Sequence, residues 1–418
     1  MSQLPSFEGS TYDEELQSNY QVKVHPMGKI GHRPIEFLIV GNNDLIDLSS
    51  ITLHASAKIT KADGNAYEKD AEVAFVNNAL HSMFSDVIVT MNETIVEGDG
   101  QQYSHKSMIN TLFAYTNETM EKQLFTSGFA KDDLSKADDV TNKGYITRKA
   151  WTNEGAIKEF YGKFNVDLFR QPRSLIPNMN FRIKLIKNAS KFALFTKTDD
   201  KPKFTIETAV LYMKKIRPHP QILNAIVSNL ARGGIVQYPI NRIELVSIPL
   251  SPGKTELSRD QLFYGKVSKI LLMSMIDNKA YNGDYKLNPY HYKHNTIESV
   301  DLRLDGESKP ILPLTPNFKE KRCIREYTSL LETMSIFGND AVLPISYNEY
   351  MNGYTFFAWN LTADYQARPQ NPDKRMAIRL DIKFEEALTS AINILLYCVF
   401  DSTVMIDDVG QVITDYKD

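Results

Sequence analysis

Short runs in which apolar and polar residues alternate dominate the chain. Residues 85–94 read "SDVIVTMNET": Val87, Val89 and Met91 alternate with Ile88 and Thr90, and an Asn-Glu-Thr turn follows. Residues 298–307, "ESVDLRLDGE", repeat the plan, with Val300, Leu302 and Leu304 set against Asp301 and Arg303 before an Asp-Gly turn. In "FRIKLIK" (181–187), Phe181, Ile183 and Leu185 share one face. In "MAIRLDIKF" (376–384), Ile378, Leu380, Ile382 and Phe384 face in while Arg379, Asp381 and Lys383 face out. A period of two marks a strand with one buried face in an antiparallel sheet. Many such runs, separated by Gly, Pro, Asn and Asp, predict an all-β protein of sandwiches or barrels.

Helical spacing is confined to a few stretches. Residues 100–125 place Met108, Leu112 and Tyr115 on one stripe, and "REYTSLLETMSIF" (325–337) is their counterpart in the second half. "PQILNAIVSNLARGG" (220–234) is the best punctuated. Prolines open it, Ile222, Leu223, Ile226, Val227 and Leu230 form a stripe, and Gly233-Gly234 stop it. It lies near the midpoint of the chain, where a connector between domains belongs.

Three strand echoes recur in the same order. Val87 aligns with Val300 at an offset of 213, Phe181 with Ile378 at 197, and Val210 with Leu395 at 185. Two copies of one β-sandwich, the second with shorter loops, explain the order and the falling offsets. The expected division is an arm over 1–20, a first unit over 21–219, a connector helix over 220–234 and a second unit over 235–418. At 418 residues the chain suits two domains of roughly 200 residues each.

Charge and composition narrow the function. Net charge is −3, from 48 basic and 51 acidic residues, with no basic tail. Tight wrapping of nucleic acid needs a basic patch or arm, so no strong direct nucleic-acid binding is expected. The aromatic content of 11% suits strands and large packed contacts. Cys323 and Cys398 read as free thiols of a reducing compartment. The polar N-terminus has no apolar signal core, and runs such as "AINILLYCVF" (391–400) are half a membrane span, so a soluble, non-secreted chain is expected. On that reading the sequons at Asn92, Asn117, Asn188 and Asn360 are chance.

Several segments taken together resemble a known family. They are "NNALHSMFSDVIVTMNETIV", the stretch from "PINRIELVSIPL" to "DNKAYNGDYKLNPYHY", and "NGYTFFAWNLTAD". They resemble the double jelly-roll major capsid proteins, most of all those of Polinton/Maverick elements and adintoviruses, from about residue 34 to residue 416. The most specific part is Asp277-Asn278, Asn282-Gly283, Asn288-Pro289 and Gly353-Tyr354. The resemblance implies two tandem eight-stranded jelly rolls, with a few short helices in loops and at the connector. Three chains would form a pseudo-hexameric capsomer, and capsomers would tile an icosahedral shell with penton and minor capsid proteins. It implies a virion location and no catalytic residue, cofactor or metal. The chain is short for that lineage, which argues against long outward towers. Such an obligate contact should bury well above ~2,000 Å².

Other chemistry finds little support. His291 and His294 are spaced His-x-x-His, unlike the His-x-His of cupin metal sites, and are expected to pack at the surface. "AKDDLSKADD" (130–139) lacks the order of a calcium loop and reads as a solvated loop. The longer segment 125–151 reads as a polar insertion on an exposed end. "EGDGQQ" (97–102) is a turn before a helix, not a phosphate cradle. The basic and aromatic stretch 361–378 reads as a loop between strands, and the arm to about Tyr20 as free until assembly. The closing "TDYKD" fits both a common epitope tag and the family's habit of ending near an Asp-Tyr pair. A glycan-binding or glycan-cleaving double sandwich is the main rival. It would need solvent-facing tryptophans or a paired-carboxylate cleft, and only Trp151 and Trp359 exist. A vertex or minor capsid protein is a second rival, disfavoured by the internal repeat.

Overall fold

The computed structural model describes residues 16–31, 34–98, 100, 102–262, 267–335, 343–361 and 377–416. Most of the arm and of the 361–378 loop lie outside them, as do residues 336–337 and the last two residues. The first half contains two four-stranded sheets. One runs in the order Leu16–Val24, Lys203–Pro218, Leu45–Thr60, Lys158–Lys163, and the other Ile35–Ile39, Phe181–Lys187, Phe84–Met91, Thr94–Glu97. Counted along the chain, these eight strands lie in the orders 1-8-3-6 and 2-7-4-5.

The second half repeats both orders. Its sheets run Val236–Leu250, Ile392–Ile406, Ile270–Asp277, Phe357–Asn360 and Glu256–Arg259, Ile378–Phe384, Ile297–Leu304, Glu307–Leu314. Val412–Thr414 adds to the last strand of the first of these, and Val73–Phe75 pairs separately with Leu194–Thr196. Pairing strand 1 with 8, 2 with 7, 3 with 6 and 4 with 5 across two antiparallel sheets is the jelly-roll arrangement. In the first roll Phe37, Val87 and Ile183 from one sheet share a core with Leu53 and Leu211 from the other. Each sheet thus buries its inward-facing alternate residues against its partner.

The register bears out the sequence echoes. Met91 pairs with Phe181 and Leu304 with Ile378, so the fourth strands are 213 apart and the seventh strands 197 apart. The third echo falls on the two eighth strands. The alternation of Ile378–Phe384 is as read, with Ile378, Leu380, Ile382 and Phe384 all buried.

Both fourth strands end in two-residue hairpins whose central residues have positive φ: Asn92 (40°) and Glu93 (74°), then Asp305 (50°) and Gly306 (88°). Such turns match the twist of the flanking strands, and glycine meets the requirement without a Cβ clash. Glu93 bears that clash. Glu93→Gly, which copies the second roll, is therefore expected to raise the unfolding free energy by about 0.5–1 kcal/mol, read as a higher urea midpoint at unchanged slope.

Two loops depart from expectation. The stretch 100–125 is not one helix but two, Tyr103–Ala114 and Asn117–Lys122, because Tyr115 is extended and Thr116 caps the second through Thr119 N–H at 3.3 Å. Segment 125–151 is not an exposed polar end. Phe129, Leu134, Ala137 and Tyr145 are buried in a core shared with the second half, and so are the charged side chains of Asp132 and Arg148. The strand Leu16–Val24 also takes in Leu16 to Tyr20, so that part of the segment read as a free arm already pairs with the eighth strand.

Candidate functional site: the seam between the two rolls

Every residue of the family-like set lies on or beside the contact between the halves. Asp277 Oδ1 accepts the Lys279 N–H (2.8 Å) and so caps the short helix Asn278–Asn282. Asn278 Nδ2 donates to Asn393 Oδ1 (2.5 Å), and Asn282 Nδ2 to Asn278 O (2.8 Å). This fixed turn presents Tyr281 to the first half, where it stacks on His105 with ring centres 5.0 Å apart. Gly283 follows, against the Phe192 backbone of the first half. Tyr290, next to Pro289, meets His105 edge-on at 5.8 Å and shares a 2.6 Å hydrogen bond with Ser82. Burial pushes His105 down to about 4, so the ring is neutral at physiological pH.

Asn288 joins this aromatic part to a buried ion pair. Its N–H donates to Asp138 Oδ1 (2.6 Å), and its Nδ2 to Asp132 Oδ2 (3.2 Å). Arg148 Nη2 donates to the other Asp132 oxygen at 2.8 Å, while its Nε and Nη1 reach the carbonyls of Phe75 and Ala130. The two side chains are 3% and 2% exposed, so the charges are tolerated because both are fully bonded. The segment 130–139 is therefore only in part the solvated loop expected: Asp133, Ser135, Lys136 and Asp139 are exposed, while Asp132, Leu134 and Ala137 are buried. Burial alone would raise the Asp138 carboxyl. Hydrogen bonds from His291 and the Asn288 N–H, with Lys293 nearby, hold it below the ordinary carboxylate range.

Gly353 and Tyr354 close the opposite edge. Gly353 O accepts the Tyr292 N–H (2.7 Å), and a Cβ on Gly353 would stand 2.5 Å from His291 Cδ2, so only glycine fits there. Tyr354 is buried beside Tyr292. His291 and His294 serve different neighbours: His291 faces Asp138 at 3.5 Å, while His294 stacks on Phe318 at 4.2 Å.

Three first-half features that the sequence reading did not single out complete the seam. The first strand of the second roll is held at its edge, where Gln171 Nε2 donates to Pro239 O (2.7 Å) and Tyr238 Oη accepts the Ile176 N–H (3.0 Å). The chain end returns as a strap over the first roll's fifth strand. Asn92 Nδ2 donates to Gly410 O (2.8 Å), Tyr416 Oη donates to Val96 O (2.8 Å), and the Arg242 guanidinium lies over the Tyr416 ring at 4.8 Å. Between them Lys106 bridges Glu97 and Asp167 (2.9 Å to the latter), and Asp167 Oδ2 accepts the Ile243 N–H of the second roll (2.7 Å).

Burial, then repulsion from Asp167, pushes Glu97 up to about 7 despite the lysine. A carboxyl whose folded pKa is raised holds its proton more tightly when folded. Its contribution is full below about 4.5 and is lost as pH rises through about 7. Lys106 is shifted upward and keeps its charge throughout that window. Glu97→Gln is expected to flatten this part of the stability profile between pH 4.5 and 7.5, measured by urea unfolding beside the unaltered chain.

Comparison with solved structures decides the architecture. A chain of the Sputnik virophage superposes with a TM-score of 0.66 at 10% identity, covering 98% of this chain and 90% of that one. The mavirus major capsid protein gives 0.55 at 10% identity (98% and 92%), and the Faustovirus major capsid protein 0.55 at 9% (94% and 92%). This chain is a double jelly roll. A Caenorhabditis elegans protein described as uncharacterized is 22% identical over 398 residues, spanning 91% of the double jelly roll and 93% of its own length. No protein-family model matches. The tryptophans of this double jelly roll offer no open sugar platform: Trp359 is buried, and Trp151 is covered by Phe125 and Lys158. No described helix is long and apolar enough to cross a membrane.

Proposed function

We propose that this double jelly roll is a major capsid protein, of the kind encoded by Polinton/Maverick elements and adintoviruses. Three copies form a pseudo-hexameric capsomer, and capsomers tile the icosahedral shell of a double-stranded DNA virus or virus-like transposon. The division is into rolls over 21–219 and 235–418 with a connector over 220–234, and the strand from Leu16 to Tyr20 extends the first roll into the segment 1–20. The supporting observation is the eight-strand order written twice, in a chain whose whole length matches capsid folds. Two similar wedges per chain make six per trimer, an outline that tiles a plane. The family-like residues, from Asp277 to Tyr354, act by locking the two rolls into one rigid body rather than by chemistry, and the protein works as a scaffold without catalysis. Penton and minor capsid proteins are the further partners, and the virion is the location.

Native mass spectrometry of the purified chain tests the reading. Three chains of 47.6 kDa, about 143 kDa together, are expected. A monomer that persists at high concentration overturns it.

A further inference from the structure

The seam inside one chain is head-to-tail. The fifth strand and the following helix of the first roll meet the first strand and chain end of the second. Among the described residues, the corresponding parts at the two outer flanks keep large apolar side chains exposed. Helix Tyr103–Ala114 is buried from Tyr103 to Leu112, but its counterpart Ile324–Ser335 leaves Ile324 67% exposed. The strap bonds the first roll's fifth strand at Val96 O and leaves Ile95 42% exposed, whereas on the counterpart Glu307–Leu314 the more exposed Leu312 stands at 66%. Arg325 ties these two features together by donating to Leu312 O and Pro313 O, both at 2.9 Å. Beside them lies a cleft of about 620 Å³ whose lining includes Pro310, Leu312, Ser329 and Trp359. Trp359 itself is buried at the floor of this cleft.

On the other flank, the helix Pro220–Ala231 follows the eighth strand of the first roll, where the second roll has its strap. It contains no charged residue. Ile226 is buried, but Val227 is 50% exposed, Leu223 is only half-buried, and Ile235 just beyond is 54% exposed. A surface helix is normally charged on its outer face, and depletion of charge marks the core of an interface.

We propose that helix Pro220–Ala231 of one copy docks on the Leu312–Trp359 cleft of a second copy, in the way the strap docks on the first roll within a chain. The inference rests on the trimeric reading above. Leu223 and Val227, one turn apart on a single face, cover Leu312 and Ile324 together with Ile235. One head-to-tail contact, repeated three times and closed, pairs every such patch.

The test is co-expression of differently tagged Val227→Cys and Leu312→Cys chains, oxidised and run on a denaturing gel, with native mass spectrometry alongside. Both native cysteines are buried and supply little background. The expected result is a disulfide-linked pair carrying both tags, absent when either variant is expressed alone. Trimers without that link overturn the docking and leave the trimer standing, whereas monomers overturn both. Leu312→Glu gives a second reading. It is expected to weaken association at least tenfold with an unchanged circular dichroism spectrum, and undiminished trimer overturns the docking.

Discussion

Arg148→Met is expected to lower the unfolding free energy by about 3–5 kcal/mol, the cost of leaving a buried carboxylate without its counter-ion. Asp132 stays 2% exposed in its side chain, and the Asn288 amide is then its main remaining donor. Urea titration gives the value. Asp132→Leu in the same chain should recover a large part of the loss, because removing both charges removes the desolvation penalty that either incurs alone. A loss below about 1 kcal/mol for the single variant would mean that the ion pair is wet in solution, and with it this part of the seam.

Ending the chain after Asp407 is expected to cost about 5–8 kcal/mol. The truncation removes buried Val412, the Tyr416 ring beneath Arg242, and the hydrogen bonds to Asn92 and Val96 O. Each buried apolar side chain contributes about 1.5–3 kcal/mol and each hydrogen bond about 1 kcal/mol. Tyr416→Phe isolates one hydrogen bond and should cost only about 1 kcal/mol. Urea unfolding measures both changes. Whatever the origin of the closing residues, Tyr416 has a seat in the fold.

Much of this architecture was legible because strands advertise themselves locally. Alternation gave the inner faces of Phe181–Lys187 and Ile378–Phe384, and the offsets of 213 and 197 recur in the observed register. The seam was less legible. Asp132 sits among Lys131, Asp133 and Asp138, a neighbourhood that reads as solvated. What buries it are Arg148 and Asn288, and Asn288 lies 156 residues away. The pattern of residues 277–289 marked a special segment, but nothing in its spacing named His105 or Asp138 as partners. For helix Pro220–Ala231 the apolar stripe was plain. A stripe specifies a face to be covered and not its cover, and within one chain only Ile226 is buried.

Cryo-electron microscopy of the purified chain tests the central claim most directly. The account predicts hexagonal particles with three-fold symmetry, in which six jelly rolls alternate between the first and second kind. Isolated two-roll particles, or a two-fold dimer, would contradict it.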